Sequence, residues 1–175
     1  DAQLAAGSRQ VITTEIGWDG NSFTNQGAVA QYVVQSALDG IKDGDAKMYY
    51  YALFNDSSGN FGLMNQGGSP TVAGSALHNL TALLADTGAN AASFTPGSLS
   101  FTLSGAESTD NTLLFQKSDG SDWLAVWDET AGTHSVTLQL PTAAAKIIAY
   151  DPVTETSSIA SASNATSMTV GLGND

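Results

Sequence analysis

Apolar and polar positions change rhythm once along this chain. As far as Gly88, short apolar runs alternate with helical stripes; beyond it, a two-residue alternation is broken repeatedly by turn residues. The run Val11–Glu15 is almost continuously apolar and β-branched, which predicts a parallel strand covered on both faces. A loop from Gly17 to Asn25 follows. Val29, Tyr32, Val33, Ala37 and Ile41 then recur at helical spacing, with Asn25 as the cap and Gly40 or Gly44 as the stop. Lys47–Phe54 reads as a second strand, and a helix between two strands calls for a crossover with parallel pairing. The connection Asn55–Gly68 is too long to be a minimal connector. Ser69 and Pro70 supply a cap and a first-turn proline for a second helix, whose stripe is Ala73, Ala76, Leu77, Leu80 and Leu84. The order is β-α-β-α.

Past Gly88 the runs Leu99–Leu103, Thr112–Gln116, Trp123–Trp127, Ser135–Leu140, Lys146–Tyr150 and Met168–Leu172 are separated by Ser118-Asp119-Gly120, Ala131-Gly132 and Asp151-Pro152. Short runs at that spacing predict an antiparallel second domain of sandwich type. The boundary falls in the Gly88–Ser93 stretch, giving domains 1–88 and 89–175, with no internal repeat.

Charge narrows the partners. Seventeen acidic and five basic side chains give a net charge of −12, so phosphates are repelled, and neither nucleic acid nor an anionic membrane is an expected partner. No apolar stretch approaches the roughly 18 residues of a spanning helix, and Asp1–Gln10 does not read as a signal peptide. With no cysteine there are no disulfides and no thiolate metal sites. The low-lysine, Ser/Thr/Gly-rich acidic composition fits a secreted bacterial protein that handles a neutral polymer.

The most informative residues are 11–18, Val-Ile-Thr-Thr-Glu-Ile-Gly-Trp, an apolar strand that carries one carboxylate to its end before a glycine and a large aromatic. This run resembles the nucleophile strand, Thr-Glu-x-Gly-Trp, of the retaining glycoside hydrolases built on a (β/α)8 barrel, the cellulase- and xylosidase-like clan. The resemblance implies an α/β plus all-β chain: the last two β/α units of the barrel over 1–88, then an accessory antiparallel β-sandwich over 89–175, short of its last strand. It further implies that about six βα units, on the order of 200 residues, precede Asp1 and form the N-terminal remainder of the barrel. The implied activity is hydrolysis of O-glycosidic bonds in an oligo- or polysaccharide of plant or microbial origin, without a cofactor.

By the same resemblance Glu15 is the candidate nucleophile, and Thr14 and Trp18 also match. Retaining hydrolysis needs a second carboxyl group about 5 to 5.5 Å away to protonate the leaving oxygen. In the clan that glutamate follows an asparagine, and no Asn-Glu pair occurs here, so the 175-residue chain is expected not to turn over by itself. Trp18 admits two roles, stacking on a pyranose face or covering the core. On the second strand, where these enzymes place an aromatic near the sugar, this chain offers Tyr50, Tyr51 and Phe54. Phe54 is the first choice for the floor and Tyr51 a second aromatic, with Asn55 and Asp56 as hydroxyl partners.

Other chemistry finds little support. The loop Asp56–Gly62 spaces oxygen ligands like the start of an EF-hand but lacks the glycine and the closing glutamate. His78 and His134 have no carboxylate or second histidine at ligand spacing, so no metal site is expected. Ser75 sits in no nucleophile elbow, and no Gly-rich segment precedes a phosphate-binding lysine. Asn55, Asn79 and Asn164 begin sequons that a Ser/Thr-rich chain produces by chance. Trp123 and Trp127 lie four apart on one strand face, as core or as a sugar platform, with core favoured. The competing function is a non-catalytic carbohydrate-binding or interaction protein that uses the β-sandwich surface.

Overall fold

A computed structural model of the chain describes residues 9–23 and 25–173. Asp1–Ser8, within the segment read above as no signal peptide, together with Thr24 and the last two residues, lie outside the described part. The chain divides into two compact units: one runs through Leu80 and includes Pro152–Thr154, and the other comprises Thr81–Asp151 and Glu155 onward.

In the first unit, β1 (Ile12–Ile16) pairs in parallel with β2 (Lys47–Tyr50), joined by α1 (Gln26–Lys42). Asn25 caps α1 by accepting the Gly27 N–H at 2.8 Å, and the helix ends before Gly44, whose φ of 77° suits glycine. Gly40 lies inside the helix, where a side chain would collide with Met48. The buried face of α1 is Val29, Ala30, Val33, Val34 and Leu38, while Ile41, placed in the stripe by spacing, is 49% exposed. The second helix, α2 (Val72–Leu84), is capped by the Thr71 hydroxyl, which accepts the Gly74 N–H at 3.1 Å, so the start falls two residues after the expected Ser69-Pro70. Ala73, Ala76 and Leu80 are its buried positions. Val29, Val33 and Ala73 form a core against which Trp18, Phe23, Tyr50, Leu63 and Leu77 pack. The Asn79 amide donates to the Pro152 carbonyl at 3.0 Å, tying that distant tripeptide to this unit.

The sheets described in the second unit are antiparallel. β4 (Asp110–Gln116) pairs with β5 (Asp122–Asp128) around the Asp119-Gly120 turn, and β3 (Thr102–Ser104) lies on β6 (Thr133–Tyr150), which pairs along most of its length with β7 (Ser158–Gly173). β6 fuses two runs that the sequence separates. The ladder slips between Gln139 and Ala144, around Pro141, which has no N–H to donate, and Asn164 on β7 turns to φ 48°.

These sheets correct the expected fold. Most of the described elements are strands, with two α-helices and three small sheets of two, three and two strands. They form no barrel and are not a (β/α)8-barrel fragment, and separate small sheets stand where a single accessory sandwich was expected. A βαβ unit is common to many α/β arrangements, so its presence did not specify a barrel. The burial of β1 makes the same point: Ile12, Thr14 and Glu15 are exposed, unlike a strand covered on both faces.

Candidate functional site

A cleft of about 310 Å³, open to solvent, lies at the end of the parallel pair in the first unit. Its position follows from how the two strands end. Gly17 lies so close to β2 that a Cβ there would run into the Tyr51 carbonyl oxygen, so only glycine lets the strand ends converge. The long connection after β2 then folds back on itself: Leu63 N–H donates to Ala52 O at 3.0 Å, Met64 N–H to Leu53 O at 2.8 Å, and Thr71 N–H to Leu63 O at 3.0 Å. α2 begins against this loop, and a side chain at Gly74 would meet the Leu63 carbonyl.

Trp18, Tyr51 and Asn55 all line the cleft. Trp18 covers the core and also borders the cleft: its indole stacks on Tyr32 with centroids 5.8 Å apart and packs on the helical core. Tyr51 sets its ring edge-on to Phe61 at 5.5 Å and donates its hydroxyl to Asp56 at 2.6 Å. Asn55 accepts the Gly62 N–H at 2.6 Å, and its carbonyl takes the Gln66 amide at 3.0 Å.

The remaining three predicted residues lie outside the lining. Phe54 is 40% exposed and Asp56 accepts the Tyr51 hydroxyl from outside the lining. The hydrogen bonds from the Ser58 hydroxyl, the Tyr51 hydroxyl and the Ser58 N–H pull the Asp56 carboxyl down to about 2, so it stays ionised as a loop fastener. Glu15 is exposed on β1, two residues before Gly17, which does line the cleft. Tyr50, between Tyr49 and Tyr51, borders the cleft but directs its hydroxyl to the core, donating to Val33 O at 2.6 Å and lying 2.6 Å from the Ser36 hydroxyl. Burial pushes its phenol above the ordinary value.

Sequence reasoning missed the polar lining. Gln26, Asn60 and Asn65 turn the cleft into a ring of amides against aromatic surface. Asn60 is held from across the chain, its N–H donating to the Asp19 carboxylate at 2.9 Å and its carbonyl accepting the Gly20 N–H at 2.9 Å. The Asn21 N–H, ahead of the Asn60 N–H, holds Asp19 below the usual carboxylate range. No local pattern marks these amides, because a contact between residues 19 and 60 exists only once both loops have closed.

In the second unit Trp127 is buried, while Trp123 stacks on Tyr150 at 5.4 Å with the Lys117 ammonium 3.9 Å over its ring, so the two indoles form no open platform. His134, set aside above for want of a carboxylate, sits between Asp110 and Asp128, which strand pairing brings to it. Neither any family model nor any curated protein matches the sequence.

Proposed function

We propose that the first unit handles a neutral saccharide in this cleft, as part of a retaining glycoside hydrolase in which Glu15 is the attacking carboxylate. One observation carries the reading. Three residues picked for sugar contact from the sequence, Trp18, Tyr51 and Asn55, converge on one cleft whose edge begins at Gly17, just past Glu15. The lining suits the chemistry of a sugar. Aromatic surface accepts the CH face of a pyranose, and side-chain amides both donate to and accept from hydroxyls without carrying charge. Glu15 would attack the anomeric carbon to form a glycosyl ester, expelling the leaving alcohol, and water would then cleave that ester. The proton for the leaving oxygen must come from a second carboxylic acid, and none lines the cleft among the described residues.

That last fact favours a second reading, in which the cleft binds a saccharide without cleaving it. An activated 2-deoxy-2-fluoro aryl glycoside separates the two, because its leaving group needs no protonation. The hydrolase reading expects saturable oligosaccharide binding and a covalent adduct that mass spectrometry locates on Glu15 and that Glu15→Gln abolishes. Binding with no adduct leaves the second reading. If a panel of neutral oligosaccharides shows no saturable binding, both readings fall.

A further inference from the structure

Strand pairing in the second unit assembles three ionisable side chains from three different strands. The β4–β5 register sets Asp110, the first residue of β4, directly opposite Asp128, the last residue of β5. His134, the second residue of β6, reaches into the same place: its Nε2 lies 2.9 Å from Asp110 Oδ2 and its Nδ1 lies 3.9 Å from Asp128 Oδ2. One ligand atom from each of the three residues falls within 4.8 Å of the others.

Burial separates this group from an ordinary surface cluster. The side chains of Asp110 and Asp128 are only 2% and 4% exposed and that of His134 is 14% exposed. Each carboxylate is also oriented from outside the group, Asp110 Oδ2 by the Glu107 N–H at 2.9 Å and Asp128 by the Thr130 N–H and hydroxyl at 3.0 Å. The second oxygen of the Asp110 carboxyl, Oδ1, is buried with no hydrogen-bond partner among the described residues. A buried carboxylate oxygen without a donor is costly and rare in native proteins. The charges are unbalanced as well, since one imidazolium offsets only one of two buried carboxylates. A divalent cation beside a neutral imidazole would balance both and would satisfy Oδ1.

We propose that Asp110, Asp128 and His134 form a binding site for a divalent first-row transition-metal ion. One imidazole nitrogen and two carboxylates make a donor set that suits Zn2+ or Mn2+, whereas Ca2+ takes oxygen ligands. The backbone and hydroxyl donors on the carboxylates are the outer partners such sites use to fix their ligands. Bound there, the ion ties β4 and β5 to β6 and stabilises this unit by binding only its folded form.

The test is a calorimetric titration of EDTA-treated full chain with Zn2+, and in parallel with Ca2+, alongside thermal unfolding. The expected result is one Zn2+ per chain, a higher melting temperature in Zn2+, and no saturable Ca2+ binding. Asp110→Asn and His134→Gln should each weaken Zn2+ binding by about 100-fold or more, and His78→Gln should leave it unchanged. Circular dichroism shows whether each variant folds. Should either fail to fold, the visible absorption of Co2+ bound to the unaltered chain reports the ligand set, intense for a low-coordinate nitrogen and oxygen site and faint for a hexa-aqua ion. The proposal is overturned by absent Zn2+ binding, by a preference for Ca2+, by a hexa-aqua Co2+ spectrum, or by folded variants that bind Zn2+ as the parent does.

Discussion

The two units solve the problem of holding a shape by different means. In the first, two helix faces do most of the work: of the ten buried apolar residues described, eight belong to α1 and α2, and only Trp127 and Val136 belong to the second unit. The second unit relies instead on its ladders, with Val136 to Val170 and Leu138 to Met168 among the pairs that align β6 with β7. Among its described polar groups is the Asp110–Asp128–His134 cluster. A unit built on a buried stripe is broken by removing volume. One built on a ribbon with few buried side chains gains more from a cross-link, because little apolar burial opposes the chain entropy.

The largest expected effect sharpens this contrast. Leu38→Ala removes a 4%-exposed side chain and should cost about 2–5 kcal/mol. Hydrogen exchange should then show the α1 amides opening while those of β6 and β7 keep their protection. Loss of protection across both units together would refute the contrast. A smaller loss, about 1–3 kcal/mol, is expected for Gly17→Ala, because the new methyl meets the Tyr51 carbonyl and forces β1 from β2. That variant should also weaken saccharide binding, since the strand ends frame the cleft, and unchanged stability in urea titration would show that the close approach is not required.

The smallest effect concerns the loop behind the cleft. Asp56 has its carboxyl lowered to about 2 from an ordinary 3.8, so its hydrogen bonds contribute above pH 3.8 and are lost as the pH falls from there toward 2. Asp56→Asn should therefore lower the melting temperature slightly at pH 6, and the gap to the parent should narrow from pH 3.8 and close toward pH 2. A gap that stays constant down to pH 2.5 would show that the charge does not hold the loop.

How far the sequence could be read differs from place to place. The Asn25 cap, the Asp119-Gly120 hairpin turn and the apolar face of α2 were legible, because each depends on residues within a few positions of one another. The Asp110–Asp128 pairing was recoverable too. With Ser118-Asp119-Gly120 as a three-residue loop, an in-register hairpin sets those residues opposite, although the third member, His134, depends on where β6 lies. The amide lining was not recoverable, since Asn60 and Gln26 come together through loop closures that no periodicity encodes. The barrel failed as an expectation for the related reason that a local βαβ pattern does not say how many strands join it.

By itself, the amino-acid sequence determined the helices, the turns, the change from helical to alternating rhythm and a net charge of −12, all set by neighbouring residues or by total charge. Only the tertiary structure decided which strands pair, which aromatics face a cleft and which carboxylates meet a histidine. Those outcomes depend on contacts across tens of residues, where burial and register, rather than local preference, choose among arrangements the chain could otherwise adopt.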